Sequence, residues 1–248
     1  MATSKFKNGN LYIVIYSVVM VVVVAILLSV TALSLQQRQN DNILNEKKNA
    51  ILQSLGKFDN GVAAVDYDEF VDAFAVDADG NVIESIGQNQ VIDLLFDLKG
   101  AIENQTYPVF KSADGRYVFP VTGNGLWDVI WGYVALEADL NTISGVVLDH
   151  KGETPGLGAE IATPKHQAMY KGKKIFEGAD FVSVTLKKGG AKNPLHEVDA
   201  ITGGTKTSDG VSAMLYDCLK NYLPFIVAET SVKEPADETV ETEELSNE

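Results

Sequence analysis

Two stretches about fifty residues apart concentrate the side chains able to do chemistry in this sequence. The first runs from His150 through Glu153, Thr154, Pro155, Gly156 and Leu157 to Gly158; the second runs from Asp199 through Thr202, Gly203, Gly204, Thr205, Lys206 and Thr207 to Ser208. In the second, four hydroxyls and two adjacent glycines follow an aspartate. Its backbone is free to fold tightly, Thr205 stands beside bare main chain, and a loop of this kind can hold a phosphate group. In the first, Pro155 pre-sets a turn that presents Leu157 alone between Gly156 and Gly158. One apolar side chain on a turn makes a wall for a flat ring, and core packing gives it little other reason to stand there.

Other chemistries find less support. Gly203 to Thr207 faintly resembles a nucleotide P-loop, but the spacing of a glycine, four residues, then Gly-Lys-Ser/Thr is absent. Composition alone would make the stretch no more than a Gly-Thr turn with a helix cap. Asp199 reads equally as a general base or as a structural carboxylate holding the loop's N–H groups. His150, His166 and His196 have no metal-ligand spacing, and no nucleophile elbow of the Gly-x-Ser-x-Gly kind is present. Neither a catalytic set nor a metal set is expected. Trp127 and Trp131 read as sheet core or as the edge of a ring pocket, with core the commoner fate of an aromatic in an apolar strand. The single cysteine, Cys218, excludes an internal disulfide and any Cys-rich metal site, and its apolar helical surroundings predict a core thiol.

The elements that must position these residues follow from hydropathy. Residues 1–10 form a short stub, and Leu11 to Leu35 then runs without a charged side chain. That exceeds the roughly 20 residues needed to cross a bilayer and predicts one transmembrane helix, in preference to a cleaved signal peptide with its shorter apolar region. Lys5 and Lys7 before the span and Arg38, Lys47 and Lys48 after it leave the orientation open on charge alone. Residues 36–58 read as an amphipathic helical connector, and 59–228 as one sizeable α/β or α+β domain. The acidic end, 229–248, holds eight carboxylates and Lys233, a net −7 that is half of the chain's −14. It reads as a disordered, solvated tail. The body carries no basic stripe with interleaved aromatics, so nucleic acid is not an expected partner.

Within the domain, Phe74 to Val76, a turn at Asp77–Asn81, and Val82–Ile83 predict a hairpin; a calcium loop is rejected because its closing glutamate is missing. Tyr107 to Phe110 and Tyr117 to Pro120 predict a second hairpin. Val129–Leu136 and Ile143–Leu148 predict two adjacent strands of a mixed or antiparallel sheet, and Phe181–Leu186 another strand. Thr207 or Ser208 is expected to cap a helix from about Asp209 to Tyr222. The Thr202–Ser208 loop then lies at a helix N-terminus, where free N–H groups and the dipole favour phosphate.

With these motifs in hand, the sequence resembles the C subunit of the sodium-translocating NADH:quinone reductase, a bacterial respiratory complex. The resemblance runs from the anchor to the C-terminal helix. It rests on Gly-Asn-Gly-Leu126-Trp127 with Tyr133-Val-Ala-Leu136, on His150 to Ile161, and on Val198 to Ser208. It implies a soluble FMN-binding domain behind a transmembrane helix, with FMN joined covalently to Thr205 through a phosphoester. Gly204 stands where the usual motif has alanine. The resemblance also implies flavin contacts from Glu153, Thr154, Leu157 and Gly158, beside a cradle of Asp199, Thr202, Gly203, Gly204, Lys206, Thr207, Ser208 and Trp127. It further implies a separate flavin transferase using FAD, partner subunits of the complex, and a single-pass protein of the inner membrane with its flavin domain in the periplasm. Two other readings stand beside it: the homologous flavin subunit of the ferredoxin:NAD oxidoreductase complex, and a tethered module that binds a phosphorylated ligand without redox chemistry.

Overall fold

The computed structural model describes residues 4–233, with side-chain environments for 11–231. Most of the expected acidic tail, from 234 onward, lies outside the described residues. Two compact units separate at residues 46 and 47. The first lies within α1 (Ser4–Ser54), and among the described residues Leu11–Ser54 is the one helix long and apolar enough to cross a membrane.

The second unit begins with the last turns of α1, whose Ile51, Leu52 and Leu55 are buried. The helix closes at Ser54, short of the expected connector end at 58, because the chain reverses at Gly56 with φ +66. A two-strand ladder, β1 (Phe58–Asp59) and β2 (Val62–Ala63), and a single turn, α2 (Tyr67–Phe70), lead into the main sheet. Its strands are β3 (Val71–Val76), β4 (Tyr107–Ser112), β5 (Tyr117–Asn124), β6 (Val129–Leu136) and β7 (Ile143–His150), antiparallel throughout and in sequence order. Helices α3 (Gln88–Asp93) and α4 (Leu98–Glu103) fill the β3–β4 connection. After β7 come a 3-10 turn (Gly158–Ala162), α5 (Pro164–Gln167), the ladder β8 (Phe176–Glu177) and β9 (Asp180–Phe181), and the parallel pair β10 (Thr185–Lys187) and β11 (Glu197–Asp199). The chain then enters α6 (Thr205–Asn221) and α7 (Leu223–Lys233).

Strand alternation sends Tyr117, Phe119 and Val121 of β5 and Ile130, Val134 and Leu136 of β6 to one face, where Val211, Met214, Leu215, Leu219 and Tyr222 of α6 complete the core. This face fixes α6, and with it the hydroxyl loop, against the sheet. Strand β4 pairs with β5 only at Phe110–Val118 and Lys111–Tyr117. Beyond that point α6 side chains take over the open edge. The Tyr222 hydroxyl donates to Pro120 O at 3.2 Å, and Cys218 Sγ donates to Thr122 O at 3.1 Å and accepts from Thr122 N–H at 3.4 Å. Burial pushes this thiol up to about 11, so it stays a neutral donor. Cys218→Ala strips both partners from Thr122 and is expected to lower stability by about 1–2 kcal/mol in chemical denaturation. A loss under about 0.5 kcal/mol would mean that the edge does not depend on the thiol.

Several expectations change in detail. The helix expected from Asp209 begins four residues earlier, because Thr207 and Ser208 turn their hydroxyls inward and Gly204 takes the cap position. The tail boundary at Glu229 falls inside α7, where the Glu229 carboxylate accepts from the Tyr117 hydroxyl and pairs with Lys111 at 3.7 Å. Tertiary partners thus order residues that look like a solvated end in sequence. The strand expected over Phe181–Leu186 breaks at Ser183, which has φ +59. The first hairpin is reduced to a single Val76–Val82 bridge, with Asp77 Oδ1 accepting from the N–H groups of Asp79 and Asn81, at 2.9 Å each.

Candidate functional site

Three loops meet beside the start of α6. The β5–β6 connection brings Gly125, Leu126 and Trp127; the end of β7 brings Glu153 to Gly158; and the chain leaving β11 brings Gly203 to Ser208. Glu153 joins them. Its side chain is buried, with Oε2 accepting from the Thr207 hydroxyl at 2.5 Å and Oε1 from the Trp127 N–H at 3.0 Å. The Leu126 N–H also bonds to it. Burial pushes this carboxyl up, but the bonds from Thr207, Trp127 and Leu126 outweigh it and hold Glu153 below the usual carboxylate range. Its own N–H donates to His150 Nδ1 at 3.2 Å. Glycine lines the carboxylate on both sides, since a Cβ at Gly125 would overlap Oε1 and one at Gly158 would overlap Oε2 and the Thr207 hydroxyl.

The turn after Glu153 closes when Thr154 O accepts from Leu157 N and Ala159 N, both at 3.1 Å, around Gly156 at φ +75. Thr154 itself is exposed. Leu157 is 42 % exposed and leans over the hydroxyl loop, so that a Cβ added to Gly203 would lie 2.6 Å from Leu157 Cδ2. Leu126 and Trp127 stand out further, at 53 % and 69 % exposed. Trp127 is therefore not the core residue that its strand-like neighbourhood favours. Leu126 and Gly125 are site residues that reading for hydroxyls and charges passes over. Their signal was the same as that of Leu157, an apolar residue next to glycine in a connection.

The hydroxyl loop sorts its own side chains. Thr207 and Ser208 are buried, and Ser208 Oγ accepts from Ile201 N–H at 3.0 Å. Thr205 is the first residue of α6 and half-buried, and its hydroxyl has no hydrogen-bond partner among the described residues. The N–H groups of Thr205, Lys206 and Thr207 likewise have no acceptor among the described residues, as befits the open first turn of a helix. Three such N–H groups beside an unengaged hydroxyl fit a phosphate ester. Thr202, Gly203 and Lys206 are exposed around them. At Gly204 an alanine Cβ would lie 2.9 Å from Ile201 Cγ2.

Asp199 departs from expectation. It is exposed at the end of β11, and its Oδ1 accepts from Ala191 N–H at 2.7 Å, so it holds the β10–β11 connection rather than the hydroxyl loop. The histidines lie apart in separate hydrogen bonds: His166 Nε2 to the Tyr170 hydroxyl at 3.1 Å, and His196 Nδ1 to Lys174 O at 2.8 Å.

The depressed Glu153 carboxyl makes a pH prediction. Its folded pKa lies below the unfolded value of about 4.3, so its contribution to stability is complete above that pH and is lost as pH falls through the folded value. The gap in Tm between wild type and Glu153→Gln is expected to narrow on acidification below about pH 4.3. A gap of constant size down to the acid transition would show that ionised Glu153 contributes nothing.

Comparison with known proteins identifies the domain that holds this site. The FMN-binding domain family matches residues 125–220, which contain all three loops. The C subunit of the Na(+)-translocating NADH-quinone reductase from Vibrio parahaemolyticus is 30 % identical over 215 residues, covering 76 % of this chain and 82 % of the relative. The same subunit from Neisseria meningitidis is 41 % identical over 114 residues, a match spanning 45 % of this chain and less than half, 44 %, of the relative. Among solved structures, its counterpart from Parabacteroides distasonis superposes with a TM-score of 0.70 at 38 % identity, over 77 % of this chain and 96 % of that one. NqrC from Shewanella oneidensis gives 0.63 at 27 % identity, over 76 % and 98 %.

Proposed function

This chain belongs to the NqrC family, the C subunits of Na(+)-translocating NADH-quinone reductases, and on that premise we propose that it carries FMN on Thr205 through a phosphoester and relays electrons between other redox centres of that complex. One observation carries the assignment of Thr205. Its hydroxyl is unengaged beside three N–H groups without acceptors, whereas Thr207 and Ser208 are buried in bonds of their own. Bound FMN supplies the electron-transfer chemistry, and the chain's own residues fix its place and surroundings. The N–H groups of the first turn of α6 hold the phosphate. Leu126, Trp127 and Leu157 offer the apolar surfaces for the ring.

Attachment balances with FAD as the donor. The Thr205 Oγ–P bond forms, the P–O–P bridge of FAD breaks, AMP leaves, and the hydroxyl proton passes to the transferase or to water. The transferase is a separate magnesium-dependent enzyme, so Thr205 is a modified residue rather than a catalytic one. The flavin-bearing domain in this reading is 59–228 together with the rest of α7, to Lys233. The partners are the other subunits of a sodium-pumping, quinone-reducing complex. Leu11–Leu35 anchors the chain in the inner membrane, with the N-terminus cytoplasmic and the flavin domain periplasmic; this orientation rests on the family resemblance, since Lys5 and Lys7 agree with it while Arg38, Lys47 and Lys48 argue against it.

The test is co-expression with a flavin transferase, followed by intact-mass measurement and in-gel fluorescence after full denaturation. The expected result is the mass of one FMN less water, retained by the denatured chain. Flavin released on denaturation would instead support a tethered module that captures a free phosphorylated ligand.

A further inference from the structure

Of the four hydroxyls at the proposed attachment point, Thr202 is exposed ahead of the helix while Thr205, Thr207 and Ser208 lie on α6, and something must decide which of these three faces outward. We propose that Glu153 is the positioning residue for this modification: by drawing the Thr207 hydroxyl inward and tying it to the Leu126–Trp127 corner, it sets the rotation of the first turn of α6 and so presents Thr205. The inference rests on the assignment of Thr205 and says how the chain makes that choice.

The helix geometry is simple. Successive residues turn by about 100°, so Thr205 and Thr207 point about 160° apart, on nearly opposite sides of the helix. Fixing Thr207 toward the interior at 2.5 Å from Glu153 Oε2 therefore turns Thr205 toward the outside. The first turn of a helix has few internal bonds and frays easily, so an outside anchor is needed to hold that rotation. Glu153 is a stiff one. Its other oxygen is fixed by the Trp127 N–H at 3.0 Å, and Gly125 and Gly158 close over the carboxylate without space for a Cβ. The carboxylate is spent on protein donors, so its role is exerted through Thr207 and not by touching the ring.

The experiment uses the full-length chain in detergent, with FAD, magnesium and a flavin transferase, and follows the initial rate of FMN incorporation by intact mass. Thr207→Val keeps the shape of the side chain and removes its hydroxyl; Thr207→Ser keeps the hydroxyl. Loss of one charge-assisted bond is expected to slow incorporation about tenfold or more in Glu153→Gln and Thr207→Val. Thr207→Ser should load at nearly the wild-type rate, a rescue that a purely space-filling role for Thr207 does not give. Circular dichroism checks that the variants are folded, and Thr207→Val keeps the test open if Glu153→Gln is not. Equal loading of wild type and folded Thr207→Val overturns the proposal and leaves the assignment of Thr205 standing. A wild-type chain that takes no flavin, beside a control substrate that does, removes both.

Discussion

Thr205→Ala is expected to abolish covalent flavin entirely, whereas Thr205→Ser and Thr202→Ala retain it. This is an all-or-none effect because the change deletes the bonding oxygen itself and does not merely weaken a contact. Neighbouring hydroxyls are poor substitutes. Thr207 and Ser208 are about 1 % exposed and bonded to Glu153 and Ile201 N–H. Reaching either one means unwinding the first turn of α6 and leaving a buried carboxylate or a buried N–H without its partner, at a cost of about 1–3 kcal/mol each. Serine supplies the same oxygen with one methyl fewer at a half-buried position, and should be modified. The readout is flavin fluorescence on denatured protein together with peptide mass mapping. Flavin at full stoichiometry on Thr205→Ala, mapped to Thr202 or to any other residue, would move the attachment point and end this reading.

Local signals in the sequence identified the strands well and the helix start poorly, and the reason is physical. Strands β4 to β7 announce themselves by β-branched and aromatic content and by the Asp114–Gly115 and Asp139–Leu140 turns, features complete within a dozen residues. The start of α6 depends on where two hydroxyls go. Capping preference places Thr207 or Ser208 just outside the helix, but Thr207 is claimed by Glu153, 54 residues earlier. No local rule contains that contact. Asp199 shows the same limit, since its partner Ala191 lies across the β10–β11 connection. Trp127 shows it in reverse. An aromatic near apolar strands is usually buried, yet here it sits in the tight connection that Glu153 pins, and it stays 69 % exposed. That the hydroxyl loop runs into a helix was legible, because the glycines and the apolar face of α6 lie close together in sequence. The selection among its hydroxyls was not, because it depends on a buried carboxylate from another loop.

That buried carboxylate also makes a single added methyl group costly at the site. In Gly158→Ala the new Cβ would overlap both Glu153 Oε2 and the Thr207 hydroxyl, atoms that stand 2.5 Å apart in a hydrogen bond. The bond has to break. Glu153 has little room to retreat, because its other oxygen is held by the Trp127 N–H at 3.0 Å and lies close against Gly125. A carboxylate 5 % exposed would then keep its charge with fewer donors, and breaking such a buried network costs about 3 kcal/mol or more. Two neighbouring glycines calibrate the effect. At Gly152 an added Cβ finds only Asp128 Cβ, at 3.7 Å, so alanine there should change stability by no more than about 0.5 kcal/mol. Gly156 has open space but φ +75, and alanine should cost about 1–2 kcal/mol for the left-handed backbone alone. Urea denaturation of the three variants tests the order Gly158, then Gly156, then Gly152. If Gly158→Ala proves as mild as Gly152→Ala, the Glu153–Thr207 contact is not a fixed joint, and the selection of Thr205 must come from the transferase instead of from this chain.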